Sequence, residues 1–157
     1  MIDWQLQFRI QQLHAQYVQI IDDDRMEEWP TLFTNGGRYT ITTRENHKAG
    51  LPLALFSCEG GGMLRDRVTG YRRINVYEPQ CYRHQISALQ VEPDAAGGWQ
   101  CRSNFLVVRT LQRGEMTVFA TGSYRDRVVE EDGVMRFAER LVITDSRQTD
   151  TLLVIPL

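Results

Sequence analysis

The half of the chain after Tyr82 constrains the fold most, because it reads as four consecutive long strands. They run over about 82–92, 98–112, 115–130 and 134–145. The breaks between them, Pro93 to Gly98, Gln112-Arg113-Gly114 and Glu131-Asp132-Gly133, carry the Gly and Asp that tight hairpins need. Strands of this length twist, so the sheet they form is expected to curve strongly. Alternation sets the faces. Met116, Val118, Ala120, Gly122 and Tyr124 are expected on one side of the third strand. Met135, Phe137, Leu141 and Ile143 share a side of the fourth, with Glu139 interrupting them. Gly122 inside a strand suggests a bend or bulge.

The first half is helical at its start. Leu6, Ile10, Leu13, Tyr17, Ile20 and Ile21 recur at helical spacing over 3–22, with Asp3 as N-cap. Asp22-Asp23-Asp24 ends that helix, and Asp24 with Glu27 reads as the cap of a short second one carrying Met26, Trp29, Leu32 and Phe33. Asn35-Gly36-Gly37 reads as a turn before a strand over 38–43. Residues 44–50 read as a polar loop and Leu51–Phe56 as a short buried strand. A basic helix is expected over about 63–73, with Leu64, Val68 and Tyr71 on its apolar face, followed by a turn at Tyr77-Glu78-Pro79. The apolar residues 152–156 need cover from the core or from a partner.

Helices first and an antiparallel meander after them define an α+β class, read as one domain over 1–157. A curved sheet wrapped around an N-terminal helix makes a cone. The pattern of a Tyr-bearing first helix, an Asp at its end, a Trp-Phe second helix and an Arg-His pair opening the long strands resembles the NTF2-like, cystatin-related superfamily.

Composition narrows the function. A net charge of -2 argues against nucleic acid as a partner. No apolar run approaches a membrane span, and the N-terminus lacks the basic-then-apolar order of a signal peptide. Cys58, Cys81 and Cys101 are odd in number and lack metal-type spacing, so free thiols in a cytoplasm are expected.

Candidate chemistry centres on the stretch from Met63 to Val91. Histidine is the side chain suited to proton transfer near neutral pH, so His84 would suit a general base for dehydration or isomerisation, acting with Tyr17 or Asp22 and with Trp29 nearby. The competing reading is a structural strand histidine bonded to a carboxylate or carbonyl. His14, His47 and His84 fall in a helix, a loop and a strand with no ligand spacing, so no metal site is expected. The cysteines do not make the Cys-x-His and Cys-x-x-His pairs of a Rieske cluster. Gly60-Gly61-Gly62 lacks a phosphate-loop context and reads as a helix approach. Lys48 is the sole lysine among 18 Lys and Arg residues. That bias fits a surface covered by another protein, since Arg pairs bidentately and stacks on aromatics. Arg65, Arg67, Arg72, Arg73, Tyr82 and Arg83 are the candidate interface residues.

Several longer segments resemble one family almost end to end. They are residues 22–34, 38–52, 63–68, 75–84, 114–126 and 145–157. The family is the small (β) subunits of Rieske non-haem iron aromatic-ring-hydroxylating oxygenases. The terephthalate-type members share the Trp29-Pro30-Thr31, Asn46-His47, Tyr82-Arg83-His84 and Asp150-Thr151-Leu152 pieces, and the salicylate-type members share Met63 to Val68. The resemblance implies an NTF2-like fold without a cofactor of its own and assembly with a large (α) subunit as α3β3. It places the Rieske 2Fe-2S cluster, the mononuclear Fe(II) and the substrate pocket in the large subunit, with a reductase delivering electrons from NAD(P)H. It supplies no catalytic residue for this chain.

Overall fold

The computed structural model describes residues 2–73, 79–147 and 155–157. The Tyr77-Glu78 part of the expected turn and residues 152–154 of the apolar tail lie outside them. Helix α1 (Trp4–Asp22) starts on Asp3, whose carboxylate accepts from the Leu6 amide at 2.7 Å. Its buried face is Ile10, Leu13, His14, Tyr17, Ile20 and Ile21. A 3-10 helix (Met26–Leu32) follows, then strand β1 (Phe33–Thr43), helix α2 (Arg44–Lys48), strand β2 (Phe56–Glu59) and helix α3 (Gly60–Arg73). Four long strands complete the chain: β3 (Gln80–Pro93), β4 (Trp99–Leu111), β5 (Met116–Glu131) and β6 (Val134–Thr144).

All six strands form one sheet in the order β2-β1-β6-β5-β4-β3. Every pair is antiparallel except β1 with β6, which is parallel. The α+β class and the long antiparallel meander are therefore as expected. One face of the sheet packs on α1 through β3 and β6, and there the core sits.

Several local expectations differ. Asn35-Gly36-Gly37 is a bulge inside β1, not a turn, because Gly37 must lie close to Phe33: a Cβ there would stand 2.9 Å from the Phe33 Cβ. Residues 44–48 are helical, capped by the Thr43 hydroxyl accepting from Asn46 N at 3.2 Å. Leu51 to Leu55 form an exposed loop, and the strand begins only at Phe56. Asp24 does not cap the second helix. It adopts φ 56 and turns its carboxylate to Tyr71 and Arg72 of α3, at 2.8 Å from each.

Two bulges change which residues face inward. In β5 the pairing slips between Val107/Ala120 and Val108/Val118, which leaves Met116 and Val118 exposed at 69% and 65% while Ala120 and Tyr124 are buried. In β6 it slips between Val128/Phe137 and Arg127/Glu139. Phe137 is inward before the bulge, and Arg140, Val142 and Thr144 are inward after it. Leu141 moves to the outer face. A slip of one residue exchanges faces because the strand period is 2. Gly122 is not at a bulge. A Cβ there would lie 2.0 Å from the Ile143 carbonyl oxygen and 2.9 Å from the Phe105 ring, so the position requires glycine for close approach.

Candidate functional site

The interior holds two polar clusters. In the first, Asp22 ends α1 and His84 lies near the start of β3. The Asp22 carboxylate is 2.6 Å from His84 Nδ1 and accepts from the His84 main-chain N–H at 2.9 Å. Both side chains are almost wholly buried. His84 Nε2 is also buried and has no hydrogen-bond partner among the described residues. The structure thus joins two of the residues singled out in sequence. It does not bring the Tyr17 hydroxyl to them. That hydroxyl donates to the main-chain oxygen of Leu157 at 2.5 Å, and Tyr39 meets the same oxygen at 3.1 Å. Burial pushes the Tyr17 phenol up to about 12. Trp29 packs edge-on against Phe33 and Tyr39 as a core residue.

The second cluster centres on Arg140, which is 0% exposed. Its guanidinium carbon lies 3.8 Å from the Tyr124 ring centroid, 4.0 Å from that of Tyr17 and 4.5 Å from that of Phe137. Three aromatic faces thus stand in for water around a buried cation. Asp126 faces it, with Oδ1 3.3 Å from Arg140 Nε, and His14 Nδ1 is 3.3 Å from Arg140 Nη2. Asp126 Oδ2 lies 3.6 Å from His14 Nε2.

The two titrating members shift in line with their burial. Desolvation pushes Asp126 up to about 7, with Arg140 opposing it. Desolvation and then Arg140 hold His14 well below the usual imidazole range. For Arg140 itself, burial is the largest single influence and works against the charge, but Asp126 together with Tyr17, Tyr124 and Tyr39 more than offsets it, so its pKa lies above the ordinary value. The result is a compact buried cluster in which Asp126 and His14 face the Arg140 cation.

Sequence reasoning weighed His14 only as a metal ligand and gave Asp126 and Arg140 no site role. A signal existed for Asp126, which shares the phase of the buried Tyr124 and Val128. None existed for Arg140, since the β6 bulge alone turns it inward.

The six candidate interface residues are spread across different environments. Arg72 is held by Asp24 and Glu27, the latter at 2.7 Å. Arg67 lies 4.2 Å over the Phe56 ring. Tyr82 is 2% exposed and packs on Phe119. Arg65, Arg73 and Arg83 are exposed. Among the described residues, no three His, Cys, Asp or Glu side chains are grouped as metal ligands. The two His–Asp pairs are each turned to protein neighbours. This donor set does not fit an iron or iron–sulfur centre.

A sheet curved around α1 with a polar interior places the chain in a known class. The SnoaL-like domain model matches residues 7–141. The small subunit of anthranilate 1,2-dioxygenase from Burkholderia cepacia is 37% identical over 99% of this chain and 96% of its own length. Subunit beta 2 of the terminal oxygenase component of terephthalate 1,2-dioxygenase, from a Comamonas species, is 36% identical over 96% of this chain and 98% of its own. A crystal structure from Novosphingobium aromaticivorans DSM 12444, attributed to the beta subunit of an aromatic-ring-hydroxylating dioxygenase, superposes with a TM-score of 0.87. It is 34% identical, with 96% of each chain covered. The chain therefore belongs to the SnoaL-like family and, within it, to the small (beta) subunits of aromatic-ring-hydroxylating dioxygenases.

Proposed function

We propose that this chain is the non-catalytic, single-domain small subunit of a cytoplasmic oxygenase that hydroxylates an aromatic carboxylate of the terephthalate kind. The reading places it in an α3β3 assembly with a large subunit. That subunit carries the Rieske cluster, the mononuclear iron and the substrate pocket, and a reductase draws electrons from NAD(P)H. The full-length likeness to two small subunits of aromatic-acid dioxygenases is the observation that carries this reading. The interior agrees with it in character. His84 is fixed by Asp22, and the Tyr17 hydroxyl is taken by the Leu157 main chain, so the two do not form an acid–base pair around a ligand. On this reading Arg65, Arg73 and Arg83 contact a neighbouring subunit, and Arg67, Arg72 and Tyr82 hold that surface in place.

Expression of this chain alone, of a large subunit alone and of the two together tests the proposal. The chain alone should be colourless and inactive, and the pair should purify as a coloured complex that hydroxylates terephthalate or anthranilate. Full ring hydroxylation by the large subunit alone, unchanged by this chain, would overturn it.

A further inference from the structure

The outer face of the sheet, away from α1, carries two neighbouring cross-strand rows of opposite character. In the first row Arg127 stands opposite Glu139, Glu139 beside Arg38, and Arg38 opposite Glu59. Signs alternate, and Arg38 meets Glu139 at 3.0 Å. This is the usual way a solvated sheet face neutralises itself. In the next row Arg102 stands directly opposite Arg125, followed by Leu141, Thr40 and Ser57. Two arginines face each other there and the row holds no carboxylate. Both are exposed, and among the described residues neither forms an ion pair. Glu92 borders the same region without pairing with either. Like charges directly opposite on adjacent strands destabilise a sheet.

The cationic surplus continues off the sheet. A groove of about 460 Å³ is lined by Arg102, Arg125 and the Arg44, His47 and Lys48 side chains of α2. The acid on its wall, Asp145, is engaged by Arg44 at 3.5 Å and by the Thr121 hydroxyl at 2.9 Å. His47 also borders a second groove, of about 380 Å³, lined by Leu51, Pro52 and Leu53. Leu51, Leu53 and Leu55 are exposed at 48%, 58% and 45%. An arginine cluster beside an exposed apolar loop has the composition of a protein interface: an apolar centre with Arg-rich polar contacts.

The geometry points to this face, the Arg102–Arg125 pair with the Leu51–Leu55 loop, as the docking site for a segment of the large subunit that bears carboxylates beside apolar side chains. The inference rests on the small-subunit reading and adds the surface that reading leaves open. The chemistry of the patch selects this occupant. The unneutralised arginines call for carboxylates. A two-fold contact with a second copy through the same patch would set arginines against arginines, and a head-to-tail contact would need a carboxylate-bearing surface elsewhere on this chain, which the self-association measurement below reads. A free small carboxylate would gain little from exposed, solvated guanidinium groups, whereas a protein partner also covers the leucines and excludes water.

The test is co-expression with the large subunit of an aromatic-ring-hydroxylating dioxygenase, comparing wild type, R102E/R125E and the milder R102Q/R125Q. Binding is measured by pull-down and by mass photometry at 50 and 300 mM NaCl. The expected result is a folded R102E/R125E variant, unchanged in circular dichroism, with at least a tenfold loss of affinity. R102Q/R125Q should fall between, and wild-type binding should weaken with salt more than that of either variant. Equal assembly by wild type and R102E/R125E would overturn the docking site while leaving the small-subunit reading intact. Failure of wild type to bind any large subunit would overturn the small-subunit reading and the docking site with it. A charge-reversal effect on self-association alone would assign the face to a second copy. A melting-temperature rise of the isolated chain with terephthalate, lost in R102E/R125E while assembly persists, would assign it to a small carboxylate. Either of these last two results overturns the proposal.

Discussion

Asp22 grips His84 at two points, one carboxylate oxygen 2.6 Å from the ring nitrogen Nδ1 and the other accepting the main-chain N–H at 2.9 Å. The contact spans 62 positions of sequence and ties the end of α1 to the first turns of β3. A carboxylate used in this way positions backbone as much as it positions a base. An Asp–His pair is also the arrangement that a catalytic reading seeks, and substitution distinguishes the two roles.

If the pair is structural, H84N and D22N should lower stability without changing hydroxylation per assembled complex. Loss of Asp22 as an acceptor leaves a buried N–H unpaired, which costs about 1–3 kcal/mol. D22A should therefore shift the urea midpoint more than H84N, which keeps a polar side chain and the main-chain contact. Turnover normalised to assembled large subunit should stay within about twofold of wild type, a change worth less than half a kcal/mol. A hundredfold drop in a fully assembled H84N complex would instead assign His84 to the chemistry.

Arg140 and Asp126 give a prediction in the pH dependence of stability. Asp126 is raised to about 7 in the fold, above its unfolded value, so its contribution is fully present at low pH and is lost as pH rises toward and through 7. His14 is depressed, so its contribution is present above the ordinary imidazole range near 6.5 and is lost as pH falls below it. The two oppose each other in wild type. D126N should make stability rise more steeply from pH 5.5 to 7.5, and H14N should make it rise less or fall. Urea denaturation at the two pH values reads both slopes. R140M, which strands a buried carboxylate, should cost about 3–5 kcal/mol near pH 8 and less at pH 5.5, where Asp126 takes a proton. R140M/D126N should cost less than the sum of the two single changes.

Much of the fold can be read from the sequence because long strands and an amphipathic helix declare themselves through period. The four strands expected at 82–92, 98–112, 115–130 and 134–145 lie within two residues of β3 to β6 at each end. The phase within those strands is less legible. A bulge adds one residue and leaves no mark in composition, so Met116 and Leu141 were expected inward and Arg140 was not. Leu51 to Leu55 misled for a different reason: an apolar run reads as buried whether the fold covers it or leaves it exposed. The dyad was half legible, since Asp22 and His84 could each be named but only the tertiary fold shows them in contact. The charge-compensated Arg140 anchor depends on α1, β5 and β6 meeting, which no local pattern encodes.

Gly122 should tolerate no side chain. Its Cβ position is 2.0 Å from the Ile143 carbonyl oxygen, a backbone atom that cannot move without displacing β6, and 2.9 Å from the Phe105 ring. Phe105 is itself stacked on Tyr124, 4.7 Å between centroids, so it has little freedom to withdraw. Tyr124 in turn covers Arg140. G122A should therefore cost more than the usual overpacking penalty of about 1–3 kcal/mol. It should also loosen the Arg140 site, seen as a change in near-ultraviolet circular dichroism. G114A is a comparison without steric conflict, since nothing lies within 4 Å of a Cβ there. Gly114 has φ +91, so that variant should lose only the backbone term of about 1 kcal/mol.

Tyr39 closes the far end of the chain. Its hydroxyl donates to the Leu157 main-chain oxygen at 3.1 Å and accepts from the Leu157 N–H at 2.9 Å, while Tyr17 donates to the same oxygen at 2.5 Å. Ile155 and Leu157 are buried at 5% and 0% exposure, so these bonds fix an apolar segment in the core as well as satisfying its backbone. Y39F removes the acceptor that the described residues offer to the Leu157 N–H but leaves Tyr17 on the oxygen. Its expected cost is about 1–3 kcal/mol, the desolvation of one unpaired buried donor. Y17F leaves the N–H satisfied and should cost less through this contact, about 1 kcal/mol. Removal of residues 155–157 takes away both hydroxyl partners and three buried side chains, so it should exceed either substitution. Urea midpoints for the three variants test the order, which reverses between Y39F and Y17F if the Leu157 N–H finds another acceptor.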